Sequence, residues 1–574
     1  MRRSEKLLPA LRWARHYDGE TFSSDLIAAI IVTIMLIPQS LAYALLAGLP
    51  AEVGLYASIL PLVAYGLFGS SSTLSVGPVA IASLMTAAAV GEVAVTLDVS
   101  AASAAITLAA LSGAMLILFG FLRLGFLVNF LSHTVVSAFI TASAIIIALS
   151  QFRHLLGIQA GGETLGELSS SLWEHLPQTN FYTVLVGGSI VFLLVLVRAK
   201  GVSALVSLGM GKRRAQLMTK VVPVLAVILT ILAVKLFALD ALGVAIVGSI
   251  PTGLPPFAFP DFSTELIQAL WLPALLISII GYVESVSVGR TLGSKRQERI
   301  DADQELIGLG AANVASAFSG GLPVTGGFSR SVVNFDAGAV TQAASLMTAV
   351  MIALVSLFLT PLLYSLPKAT LAATIIVAVI SLIDFGVIRK TWKISRGDTV
   401  AVLVTMFLTL VFGVEAGVSC GILVSIGLHL YRTSKPHIAE VGLIKGTQHF
   451  RNVRRYEVES YPQFLTIRVD ESLFFANAAF LEEYVQAAAF NNGEIAHVIL
   501  MCTAINEIDF TALETLEAIN LQLKQQGITL HLSEVKGPVL DMLNRSDFFE
   551  HLTGQVYLSQ FEAFNDVKTK MDIS

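Results

Sequence analysis

Charge is scarce in this chain. Of its 574 residues, 13% are Asp, Glu, Lys or Arg, about half the share of a soluble domain. That shortage excludes an ordinary water-soluble protein of this length. Cysteine is scarcer still, with Cys420 and Cys502 alone. One falls in an apolar run and the other in a polar tail, so a disulfide framework is not indicated. The apolar runs hold no metal-ligand cluster and no nucleophile–base pair, so neither a cofactor nor an enzyme is expected. Nothing points to a nucleic-acid partner. The net charge of -5 is spread over loops and tail and identifies no ligand. Met1 to Glu20 is basic and polar, and no small-residue cleavage site follows a short apolar core, so no cleavable signal is expected.

Hydrocarbon is what the chain has. Hydrophobic residues make up 55%, mean hydropathy is +0.76, and the apolar residues form runs of bilayer length, which takes roughly 20 helical residues. Fourteen runs are read, near 25–47, 53–69, 77–91, 103–122, 126–150, 181–198 and 219–239, then 267–289, 302–318, 328–338, 341–363, 370–384, 398–413 and 415–431. Lys and Arg collect in cytoplasmic loops. Arg2, Arg3, Lys6, Arg12 and Arg15 precede the first run. Arg198, Lys200, Lys212, Arg213 and Arg214 follow the sixth, Arg290, Lys295, Arg296 and Arg299 the eighth, and Arg389, Lys390, Lys393 and Arg396 the twelfth. With fourteen spans, all of these share one side with Arg432 and Lys435. The opposite loops, 157–180 and 240–266, carry Glu163, Glu167, Glu174, Asp240 and Asp261 and no Lys or Arg. A multi-pass protein of the inner (plasma) membrane with both termini cytoplasmic is expected. Seven plus seven spans makes the halves an inverted repeat. The expected organisation is a cytoplasmic segment 1–23, a transmembrane domain 24–435 (repeats 24–240 and 266–435), and a soluble α/β domain 436–574.

Two spans are interrupted at matching places. Ser70-Ser71-Ser72-Thr73-Leu74-Ser75-Val76-Gly77-Pro78 opens the third, and Gly320-Gly321-Leu322-Pro323-Val324-Thr325-Gly326-Gly327-Phe328-Ser329-Arg330-Ser331 opens the tenth. Paired interruptions of this kind mark a transporter's binding site. A helix starting in mid-membrane exposes free N–H groups and its positive dipole end, which must line a cavity rather than face lipid. Two such ends facing each other make an anion site. Gly77, Gly326 and Gly327 permit close backbone approach. Pro78 suits a first helical position. Ser75, Thr325 and Ser329 offer hydroxyls, Phe328 begins the second helix, and Arg330 brings a fixed charge. The preceding stretches can pair as short strands. The plainer reading of the glycines is tight helix packing.

Three further positions belong to the same reading. Pro38, Gln39 and Tyr43 interrupt the first span, and Gln39 and Tyr43, four apart, share a helix face. Glu284 lies deep in the eighth span, where a carboxyl is functional by default. It either carries a proton with the anion, or ligates sodium with Ser285 or Ser287, or forms a permanent ion pair with Arg330. Asn313, Ser316 and Ser319 read as helix-packing residues.

The motifs Pro38-Gln39-Ser40-Leu41-Ala42-Tyr43, Val53-Gly54-Leu55-Tyr56, Leu67-Phe68-Gly69-Ser70-Ser71, Ser75-Val76-Gly77-Pro78, Glu284-Ser285 and Gly326-Gly327-Phe328-Ser329-Arg330-Ser331 together resemble the sulfate-permease (SulP) family, whose animal relatives include anion exchangers and prestin. The tail resembles a STAS domain. The resemblance implies an α-helical polytopic membrane protein of two inverted seven-span repeats, with core (spans one to four and eight to eleven) and gate domains and a cytoplasmic α/β STAS domain. It also implies a homodimer, an elevator mechanism, and an anion held between the starts of spans three and ten. In phosphoregulated STAS relatives a Ser follows an Asp after the second conserved strand; Thr511 takes that place here, though Asp509 or Thr511 reads more simply as a helix cap. The expected function is secondary active transport of a small anion, sulfate first, with proton coupling. The alternatives are a sodium-coupled bicarbonate or dicarboxylate transporter, an anion channel, and a membrane-anchored regulatory module acting on a cytoplasmic protein partner through the tail.

Overall fold

The computed structural model describes residues 8–126, 132–162, 164–490 and 493–571. Arg2, Arg3, Lys6, Glu163, the opening of the fifth run, and the side chains of Lys212, Arg213 and Arg214 lie outside them. The chain divides into two compact units, one ending at Ser425 and one beginning at Ile426.

In the first unit every apolar run contains helix. In order these are α1 (Gly19–Leu46), a broken pair Ala51–Tyr56 and α2 (Leu60–Phe68), α3 (Ala80–Thr96), α4 (Ala101–Phe121), α5 (His133–Leu156), α6 (Leu165–His175), α7 (Phe181–Leu196), α8 (Lys212–Phe237), α9 (Thr264–Lys295), α10 (Ala302–Phe318), α11 (Phe328–Ala337), α12 (Ala343–Phe358), α13 (Lys368–Ile380), α14 (Gly386–Ile394), α15 (Arg396–Phe412) and α16 (Val414–Ser434). Among the described residues, six helical stretches are long and apolar enough to cross a membrane alone, the longest being α9. With 10 residues at 1.5 Å each, α11 rises about 15 Å, roughly half a hydrocarbon core. It is a half-helix, as its interrupted sequence predicts.

Two sequence expectations need correction here. Pro38 does not break α1, which runs unbroken from Gly19 to Leu46. Membrane helices tolerate an interior proline because neighbours re-satisfy the freed carbonyl. Pro78 is not a first helical residue: α3 starts at Ala80 with Val79 as its extended N-cap. Helices α6 and α14 lie in segments that the hydrophobic pattern leaves as loops.

Small residues allow close helix crossings. A Cβ on Gly113 would lie 2.7 Å from the Val314 nitrogen, and one on Gly310 2.8 Å from the Ile117 nitrogen. These two glycines let α4 and α10 meet backbone to backbone. Packing glycines therefore exist in this chain, and Gly321 is one of them at the second interruption, where a Cβ would lie 3.0 Å from the Ala57 Cα.

The second unit is a six-stranded sheet in the order β4-β3-β5-β6-β7-β8. Strand β3 (Ile438–Leu443) pairs antiparallel with β4 (Phe450–Asn452) and β5 (Phe464–Val469). The rest is parallel through β6 (His497–Met501), β7 (Thr529–Ser533) and β8 (Val556–Tyr557). Alternation along the strands covers both faces. Leu465, Ile467, Val498 and Leu500 pack under α17 (Ala478–Phe490), α18 (Phe510–Gln525) and α19 (Gly537–Asn544). Phe464 and Ile499 pack under α20 (Gln560–Lys570). After α19 ends at Asn544, the chain forms a further short helix, Phe548–His551. Asp509, not Thr511, caps α18, accepting from the Ala512 nitrogen at 2.8 Å, and Thr511 is exposed.

A buried histidine lies in this sheet. His531, 2% exposed, accepts at Nδ1 from the Gln555 nitrogen at 3.1 Å. Its remaining proton then sits on Nε2, facing His497 Nδ1 at 3.1 Å. Burial first, then the charges of His497 and Lys570, push the imidazole from 6.5 down to about 4. A depressed imidazole contributes stability that is full above its unfolded value and lost as pH falls toward the folded one. The second unit should therefore lose of order 2 kcal/mol between pH 7 and pH 4. His531→Leu should flatten that dependence, read from intrinsic-rate-corrected amide exchange of β6 and β7 in the full-length protein.

Candidate functional site

The two interruptions meet. Val76 pairs with Gly326, and Gly77 with Thr325, as a two-residue antiparallel ladder of β1 (Val76–Gly77) and β2 (Thr325–Gly326). The Gly327 nitrogen also donates to the Ser75 carbonyl at 3.3 Å. Backbone that would otherwise lie unsatisfied in mid-membrane is satisfied by the other half of the chain.

Side chains finish the accounting. On the second interruption, Asn313 imitates a strand: its Oδ1 accepts from the Val324 nitrogen at 2.9 Å, and its Nδ2 donates to the Val324 carbonyl at 2.8 Å. Ser316 donates to the Leu322 carbonyl at 2.6 Å. Ser285 accepts from the Gly326 nitrogen at 2.8 Å, and Thr325 donates to the Gly281 carbonyl at 2.6 Å. On the first, Glu305 is 1% exposed and accepts from Tyr65 Oη, Ser70 Oγ, and the Ser70 and Ser71 nitrogens at 2.7–3.0 Å. Glu298 takes Ser72, Gln342 donates to the Ser71 and Leu74 carbonyls, and Asn334 donates to the Thr73 carbonyl. By sequence, Asn313 and Ser316 read as helix-packing residues. They brace the broken segment instead. Glu305 it missed altogether, because an acidic residue near a span's start looks like an ordinary solvated one.

Held this way, the starts of α3 and α11 converge on one cavity of about 80 Å³. Drug-sized ligands occupy about 300–1,000 Å³, so this one suits an ion of a few heavy atoms. Its walls include Val79, Ala80 and Ile81 from one start, Gly327, Phe328, Ser329 and Arg330 from the other, Gln39 and Tyr43 from α1, and Glu284 from α9. Ala378, Val379, Ser381 and Leu382, at the end of α13, close it; no feature of their sequence singles them out. The structure leaves Ser75, Gly77, Thr325 and Gly326 behind this surface. The Thr325 hydroxyl is committed to Gly281, and Ser75 Oγ is buried without a partner among the described residues. Ser287 points away, exposed on α9, and is not brought to the cavity.

Arg330 is 2% exposed, yet among the described residues neither Nη1 nor Nη2 has a hydrogen-bond partner. Glu284 Oε2 is also buried without one. Of the three readings of Glu284, the permanent ion pair with Arg330 is not made in this structure. A buried donor left without a partner costs about 1–3 kcal/mol, more when charged. The guanidinium sits against both interruptions: a Cβ on Gly77 would lie 2.6 Å from Nη1, and one on Gly327 3.1 Å from Nη2. These glycines are spaces for the arginine head. Positive charge, two sets of free helix-start N–H groups and the Ser329 hydroxyl make an anion-binding surface.

Comparison with known proteins adds the following. The family described as sulfate permease family matches residues 22–405, and the STAS domain matches 455–563. "Sulfate transporter 4.1, chloroplastic" of Arabidopsis thaliana is 34% identical over 98% of this chain and 84% of its own length. "High affinity sulfate transporter 2" of Stylosanthes hamata is 30% identical over 95% and 83%. Murine Slc26a9, an anion transporter solved in the inward-facing state, superposes with TM-score 0.87 at 23% identity over 98% of this chain and 94% of that one. The transmembrane domain of the cyanobacterial bicarbonate transporter BicA gives 0.60 at 22% identity over 72% and 99%. These last two likenesses are of fold.

If the glycines seat the arginine, Gly77→Ala and Gly327→Ala should each lower anion affinity at least ten-fold while leaving the amount of folded protein unchanged. Gly188→Ala, where a Cβ meets nothing within 4 Å, should leave both the affinity and the amount of folded protein unchanged. Equilibrium binding of labelled sulfate to purified protein checks this.

Proposed function

Because this chain belongs to the sulfate permease family, we propose that it is a secondary active transporter of small inorganic anions, with sulfate as its first substrate. The observation that carries the proposal is the buried Arg330 guanidinium, whose Nη atoms have no partner among the described residues and which faces two helix starts. Relatives named as sulfate transporters, alignable over nearly the whole chain, support the choice of anion. An anion held mainly by N–H groups and one arginine leaves its site without the cost of several buried charges.

Proton coupling through Glu284 fits the same geometry. Glu284 and Arg330 line one cavity without an ion pair to hold the carboxyl ionised. Protonation would remove a negative charge from a space a dianion must enter, so proton and sulfate favour each other's binding.

Alternating access is proposed as an elevator movement. The cavity lies between α1, α3, α9 and α11 on one side and α13 on the other. In the first set α3, α9 and α11 are tied together through β1, β2 and their braces, α1 packs on α11, and the set would move as a body. Ser329 and Ser381 are exposed, so the cavity opens toward the end of α13, next to Arg389, Lys390 and Lys393. By the positive-inside rule that side is cytoplasmic, which makes this an inward-open state. The same reading takes the fourteen spans as inverted repeats, both termini as cytoplasmic, and the location as the inner (plasma) membrane. The working unit is a homodimer whose STAS domain, with Thr511 as its candidate phosphosite, offers a surface to a cytoplasmic partner.

Uptake of labelled sulfate into proteoliposomes tests the proposal. Arg330→Ala should reduce uptake at least a hundred-fold and Ser329→Ala at least ten-fold, with unchanged size-exclusion profiles. Normal uptake by Arg330→Ala would refute the site. Glu284→Gln should abolish the acceleration produced by an acidic exterior, whereas Ser287→Ala should keep it. Uptake that follows an imposed sodium gradient instead would favour a sodium-coupled carrier.

A further inference from the structure

Helix α14 has no role in the anion site. Its nine residues, Gly-Val-Ile-Arg-Lys-Thr-Trp-Lys-Ile, present three distinct faces at helical spacing. Val387 and Thr391, four apart, are buried against the protein. Arg389, Lys390 and Lys393 are exposed, and none forms an ion pair among the described residues. Between these faces lies an open groove of about 460 Å³ lined by Phe385, Ile388, Arg389, Trp392 and Lys393. Its aromatics are bare: Trp392 is 67% exposed and Phe385 57%.

A globular protein in water hides such rings, but a helix lying in a membrane interface does not. There, Trp places its ring at headgroup level, and Lys and Arg reach outward from an apolar stripe. The nearby acids do not neutralise this face. The Asp384 carboxylate accepts from the Gly386 nitrogen at 2.8 Å, and the stretch 384–398 sets only Asp384 and Asp398 against Arg389, Lys390, Lys393 and Arg396. The cationic side continues along the helix, and the apolar side faces out of the protein.

We infer that α14 is an interfacial helix that binds acidic phospholipid, its aromatic groove taking the acyl chains and Arg389, Lys390 and Lys393 the phosphate headgroups. Charge complementarity selects this occupant. Each cation near a membrane surface enriches acidic lipid about five-fold, and zwitterionic lipid offers no such gain. The helix joins α13, which walls the anion cavity, to α15, so acidic lipid would fix the wall against which the site moves.

The test uses the full-length chain with Trp392 as its sole tryptophan (Trp13→Phe, Trp173→Phe and Trp271→Phe). It is reconstituted into phosphatidylcholine vesicles holding a small, equal fraction of either brominated phosphatidylglycerol or brominated phosphatidylcholine. Trp392 emission should be quenched at least two-fold more by the brominated phosphatidylglycerol. Adding Arg389→Gln, Lys390→Gln and Lys393→Gln should equalise the two lipids. Equal quenching by both in the charged protein would overturn the selectivity. Quenching by neither, with Trp392 still open to aqueous iodide, would overturn membrane contact and point to a soluble acidic partner. If the tryptophan-poor protein does not fold, the wild-type chain carries the comparison through the ratio of co-purified phosphatidylglycerol to phosphatidylcholine. That ratio should fall at least five-fold on neutralising the three cations, and an unchanged ratio would overturn the inference.

Discussion

Four residues hold the transport unit's centre together: Val76 and Gly77 from one half, Thr325 and Gly326 from the other. A chain that stops being helical inside a bilayer must find partners for its backbone within the protein. Here each interruption supplies the other's partners, and Ser285, Asn313, Ser316 and Glu305 take what remains. The helix starts that follow cannot help facing each other. Their convergence on a small cavity is a consequence of satisfying the backbone, and the proposed anion site follows from the convergence.

The arginine gives that site its charge. Its head occupies room that exists because Gly77 and Gly327 have no side chains. Elsewhere glycine does a different task, as at Gly113 and Gly310, where two helices touch. The same residue type thus builds rigidity in the scaffold and a seat for charge at the centre. Glu284 lines the same cavity without pairing with Arg330, so the charge balance there can be changed by a proton or an anion.

Much of this was legible in the sequence. Glycine, proline and hydroxyls in mid-span announce an interrupted helix, and Arg330 has no apolar reason to be there. Gln39 and Tyr43 reach the cavity because a four-residue spacing puts them on one face. What the sequence hides is contact across the chain. Glu305 braces Ser70 from 235 residues away, and nothing local distinguishes it from a surface acid. Ser287 follows Glu284 by three positions, but the helix turns it outward. Thr325 looks like a ligand and serves as a brace. Helix α14 is too short and too basic to register as an apolar run, although its Trp392 and spaced cations carry the signature of an interface.

The central claim is that the anion sits between the starts of α3 and α11, against the Arg330 head. Selenate replaces sulfate with an anomalous scatterer, so a structure of the protein with selenate locates the anion directly. A single anomalous peak within hydrogen-bond distance of the Arg330 guanidinium and of the Ser329 region is the expected result. A peak elsewhere, such as the separate cleft lined by Glu92 and Arg153, with none beside Arg330, would contradict the account.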